Sequence, residues 1–209
     1  SASSRTAPAS MSLTEEDVKL IQETWATVKT LPATTVGGLL FKHIFEQADV
    51  STLFSFGRNE GFDPSPDAVA ANPDVQAHGA KVVGTVGVAV SMLTKLDKLV
   101  PVLKDLGAKH GKYGVVAAHY PVVGGAFLKT LSVGLGDAYT PAVAQAYTKM
   151  WSIVEATMLS GVHDWGCYAK PNTPAEEVQT VAAQKSAMGY FTAGPEAWRK
   201  EAAFSTVIS

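Results

Sequence analysis

Cysteine is almost missing from this chain: Cys167 is the only one, so no disulfide can form within it. Nothing electropositive flanks Cys167, which reads as a bystander and not as a nucleophile. Runs of basic residues are also missing. Lys and Arg number 17 against 19 Asp and Glu, a formal charge of −2. That balance speaks against a nucleic-acid surface and against a lysine-rich membrane face. No apolar stretch is long enough to span a bilayer. The first residues lack the apolar core of a secretory signal, which with the lone cysteine points to a reducing, cytoplasmic setting. Strand-like alternation, a solenoid-length repeat, a glycine-rich phosphate loop after a strand, and a paired-carboxylate site are all missing.

What is present is apolar periodicity of the helical kind. Hydrophobic residues make up 46% of 209, enough for one domain with a sizeable core, and the expected class is all-α. Residues 1–12 open on SASSRTAPAS and hold too little apolar area to order themselves. The domain is expected over 13–168, with an extension over 169–209. There Thr173-Pro174-Ala175-Glu176 has capping-box form and opens a short helix.

Within the domain, Thr14 caps a helix whose first turn is acidic and whose buried face is Val18, Ile21, Trp25 and Val28. Pro32 separates it from a second helix to about Gln47, with Gly37 and Gly38 set for close approach of another helix. Residues 48–71 read as irregular, with Phe54 and Phe56 packing over something. Asn72-Pro73 opens a helix to about Leu93 with the stripe Val75, His78, Val82, Val86 and Ala89. Gly79, Gly84 and Gly87 along it mark further tight crossings. The next helix carries Leu99, Leu103, Leu106 and His110 on one face, with Gly111 placed to end it in a left-handed conformation. A segment to Leu135 follows, either starting near His119 or kinked at Pro121. Thr140-Pro141 opens the last core helix.

Two imidazoles thus stand on apolar faces of different helices. They are either core histidines satisfied by hydrogen bonds or neutral metal ligands. A bare zinc or di-iron site needs further ligands on the same faces, and none is there. A cofactor that brings its own four ligands needs only one or two, and haem fits that requirement. His43 and His163 read as solvated, His119 as a solvent or supporting histidine beside Tyr120, and the acidic residues as solvated faces.

Over about Leu13 to Val162 the sequence resembles the globin family. The resemblance rests on Trp25, the LLFKHIF run from Leu39, and Leu53-Phe54. His78-Gly79-Ala80-Lys81-Val82, Leu106-Gly107-Ala108-Lys109-His110 and the LGDAYTPAV run from Leu135 complete it. Within the family the separation of the two histidines is most similar to that of neuroglobins. The resemblance implies a three-over-three helical sandwich around haem b, with terminal extensions. It implies His110 as the proximal iron ligand, with the Leu106 or Gly107 carbonyl holding its other nitrogen. His78 becomes the distal hydrogen-bond donor or a sixth, hexacoordinate ligand. Phe54 would wedge the porphyrin with Phe56 at its edge, and Lys81 would reach a propionate. Phe41 and Val82 would line the distal pocket. Val115, Tyr120, Val123 and Trp151 would complete the apolar wall. The implied function is reversible binding of O2, CO or NO, for transport or storage. Redox activity (NO dioxygenase, nitrite reductase or weak peroxidase) and gas or redox sensing are the alternatives, and a homodimer is allowed.

Overall fold

The computed structural model describes residues 12–164, with side chains through 162. Expectations for the first eleven residues, Cys167, the boundary at 168 and the helix at Thr173 lie outside the described residues, as does the side chain of His163. Among the described residues there are seven α-helices and no strand.

Helix α1 spans Glu15–Val28 and starts in a complete capping box. Thr14 accepts from the Asp17 amide at 3.1 Å, and Asp17 accepts from the Thr14 amide at 2.9 Å. Such a cap contributes about 1 kcal/mol. Asp17 has a second partner, Lys149, at 2.9 Å, so this acid is buried and not part of a solvated face. Helix α2 spans Ala33–Phe45, with Pro32 as its cap. The segment expected to be irregular is more ordered than its composition implies. It holds 3₁₀ turns at Ser51–Leu53 and Phe56–Arg58 and a short helix, α3, at Pro66–Ala71. One buried side chain, Val69, is all that α3 contributes to the core, too little for a periodic signal.

Helix α4 spans Pro73–Ser91, with the Asn72 side chain accepting from the Asp74 and Val75 amides. Helix α5 spans Leu96–Lys112, α6 His119–Leu135 and α7 Pro141–Asp164. Because α6 starts at His119, Pro121 falls in its first turn, where its missing N–H breaks no intrahelical bond. The Val116 amide donates to His119 Nδ1 at 3.2 Å, which gives that histidine a local role at the helix start.

Two helix pairs, α2 on α4 and α5 on α7, pack most extensively. Helices α1 and α6 join them: α1 touches α4 and α7, and α6 touches α2 and α7. Both principal crossings rest on glycine. A Cβ on Gly37 would land on the backbone of Gly79, and one on Gly107 on the carbonyl of Met158. Gly87 admits the Trp25 indole in the same way, whereas Gly84 faces open space and marks no crossing. Helices α4 and α5 do not pack extensively on each other, and each carries one of the two histidines of interest.

Candidate functional site

His110 lies one helical turn after Leu106 on α5. Its Nδ1 is 2.8 Å from the Leu106 carbonyl. A carbonyl only accepts, so Nδ1 carries a proton, and in the neutral ring the lone pair is then on Nε2. The helix does not end at Gly111, as its position after His110 implied. Gly111 and Lys112 remain helical, and the left-handed residue is Gly114, with φ of +84°. The Val115 amide bonds the His110 carbonyl and the Gly114 amide bonds the Gly111 carbonyl, both at 3.1 Å. This paired closure pins the backbone at His110 itself.

Half-buried on α4, His78 is ringed by three phenylalanines. Centroid distances are 5.5 Å to Phe41, 5.4 Å to Phe54 and 5.9 Å to Phe56, all edge-on. Phe54 and Phe56 stack at 4.8 Å with planes 6° apart. Their loop is held by Asp49, which accepts from the Ser51 amide at 2.9 Å, and by Arg58, which donates to the Thr52 carbonyl at 3.0 Å. Burial lowers the pKa of His78 from its ordinary value, and positive charge on Lys81 and then on a protonated His110 lowers it further. His78 is therefore neutral at pH 7, and the two imidazoles lie within Coulomb range across the space between α4 and α5.

The structure brings Phe41, Phe54, Phe56 and His78 into one cluster, and Leu106 with His110 into another. Val82, Val115 and Val123 are partly buried against the core, and Tyr120 is buried. Lys81 is exposed one turn past His78. Trp151 is fixed against α6, 5.3 Å from Phe127 and over Gly124. Two further residues differ from the sequence expectation. His43 is not solvated: it is buried, with Nδ1 3.0 Å from Thr130 Oγ1. The signal was available, because Val36, Leu40 and His43 repeat the four-three spacing that marks His110. Glu155 is half-buried, on the stripe of Trp151, Met158 and Val162.

The globin family model matches residues 39–158. The chain is a globin. This globin is 35% identical to the neuroglobin of Danio rerio over 152 residues, 71% of this chain and 92% of the relative. It is 34% identical to the neuroglobin of Dissostichus mawsoni over the same length and coverage. Neuroglobin-2 of Oncorhynchus mykiss matches at 34% over 151 residues, again 71% and 92% of the two chains. It is thus a neuroglobin-like haem globin that binds small gases such as O2. No helix among the described residues is long and apolar enough to cross a membrane. The residues present fit haem. They offer a nitrogen donor of fixed tautomer, a neutral imidazole on the facing helix and an aromatic wall. Among the described residues no group of three or more His, Cys, Asp or Glu could hold a bare ion.

Proposed function

We propose that His110 is the proximal ligand of haem b and that His78 governs the opposite face, in a globin that reversibly binds O2, CO or NO. The observation that carries this reading is the Leu106–His110 bond: it presents Nε2 as a lone pair of fixed direction. Haem, when bound, supplies the iron to which a gas attaches. The carbonyl acceptor makes the His110 imidazole a stronger donor and holds its ring plane. Phe41, Phe54 and Phe56 keep water from the His78 side. Phe54 and Phe56 would meet the cofactor's edge, and exposed Lys81 would reach a propionate.

A neutral His78 has one N–H and one lone pair. It can donate to a gas in the distal space or use its lone pair as a sixth ligand. These roles compete, so gas affinity falls by the fraction of molecules in which His78 is ligated. The neuroglobin likeness favours the six-coordinate form, and the neutrality of His78 permits it. The visible spectrum of the reduced protein without added gas tests this. Sharp, split bands are expected, and His78→Leu should replace them with one broad band. A broad band in the unaltered protein removes His78 as sixth ligand. His110→Ala should release haem; undiminished haem retention removes His110 as the proximal ligand.

A further inference from the structure

A cavity of about 660 Å³, open to solvent, lies among α1, α2, α3, α4 and α6, and no residue of α5 lines it. Its walls include Trp25, Val36, Leu40, Val83, Phe127 and Leu131. Its volume is in the range of small-molecule sites. Its lining is mainly apolar. Charge is confined to Lys42 and Asp67, which also line the cavity and pair at 2.6 Å.

The two charges are not equivalent. The Asp67 side chain is 88% exposed and can swing into solvent, whereas that of Lys42 is only 18% exposed, with its stem built into the wall. A pair with one partner so exposed contributes at most about 1 kcal/mol, so another carboxylate can take the place of Asp67. The ammonium is the fixed charge and the carboxylate the exchangeable one. A cationic head on Asp67 would meet Lys42 at short range and be repelled. We propose that this cavity binds an apolar chain ending in a carboxylate. The head group would sit on Lys42 Nζ in place of Asp67, and the chain would lie along Trp25, Val36 and Leu131. This inference is independent of the roles given to His78 and His110.

The test is isothermal titration of the full haem-loaded chain with dodecanoate below its micelle concentration. Saturable one-to-one binding is expected. Lys42→Met, which keeps the stem, should weaken dodecanoate about tenfold and leave dodecanol within about twofold, the loss of one charge-assisted contact. Val36→Phe should weaken both by filling the cavity, with Val83→Phe as a second filler and circular dichroism to establish that each variant is folded. Four outcomes would overturn the proposal: no saturable dodecanoate binding, equal binding by Lys42→Met, full binding by a folded cavity-filled variant, or a preference for dodecyltrimethylammonium.

Discussion

Thr130 Oγ1 donates its only hydrogen to the Ala126 carbonyl at 2.8 Å, so it must accept from His43 Nδ1. Burial, and then the charges of Lys129 and Lys42, push the His43 pKa down to about 3. The unfolded chain keeps an ordinary value of 6.5 and so binds more protons between the two. Stability from this group is complete above pH 6.5 and is lost as pH falls toward 3. Between pH 7 and 4 the loss should be on the order of 3 kcal/mol. Denaturant titrations across that range should show it, and His43→Leu should flatten the slope. Glu155 has the opposite sign. Burial raises its pKa, so the folded chain binds the extra proton and stability declines as pH rises through the folded value. Glu155→Gln should raise Tm at pH 7.5 more than at pH 5; equal shifts at both pH values would contradict the assignment. Both residues lie on helical stripes visible in the sequence. The stripes signal a covered face, but how deeply each residue is buried depends on which helix covers it, and only the fold supplies that.

At the scale of the element, glycines on two neighbouring helices make opposite predictions. Gly37→Ala sets a Cβ against the Gly79 backbone, which has no flexible end to give way. A loss of about 2–3 kcal/mol is expected from such overpacking. Gly84→Ala meets nothing within 4 Å at an exposed helical site, and should gain about 0.5–1 kcal/mol. Midpoints of denaturant unfolding separate the two. The contrast also shows what was readable. Helix starts were legible at Thr14, Asn72 and Thr140 because a cap is a local bond between residues three apart or fewer. The purpose of a glycine was not, since Gly79 and Gly84 share a helix and differ only in what passes beside them. Gly111 was misjudged for a related reason: glycine permits a left-handed turn without requiring one, and Gly114 supplied it three residues later.

At the scale of the whole molecule, the Asp17–Lys149 pair ties α1 to α7 over 132 residues of sequence. Burial alone would raise the Asp17 pKa. Hydrogen bonds from Lys149 and from the Thr14 amide and hydroxyl outweigh it, and the net value lies below 3.8. This stability is present above pH 3.8 and is lost as pH falls through the folded value. Lys149→Met should cost about 2 kcal/mol at pH 7, with a smaller difference at pH 3. The globin architecture was legible because the order and spacing of its motifs carry it; contacts between distant helices were not, since no local rule pairs residue 17 with residue 149. The crossing of Gly37 on Gly79 has a mechanical consequence. Backbone resting on backbone makes a fulcrum, and α4 is the beam. Ser91 lies about 18 Å along the beam from Gly79, while His78 lies about 1.5 Å from it. A scissoring of α4 over α2 therefore carries His78 only about a twelfth as far as it carries Ser91. Large tilts of that helix leave the backbone of His78 nearly in place, and any larger movement of its imidazole falls to its own side-chain torsions, inside the ring of phenylalanines.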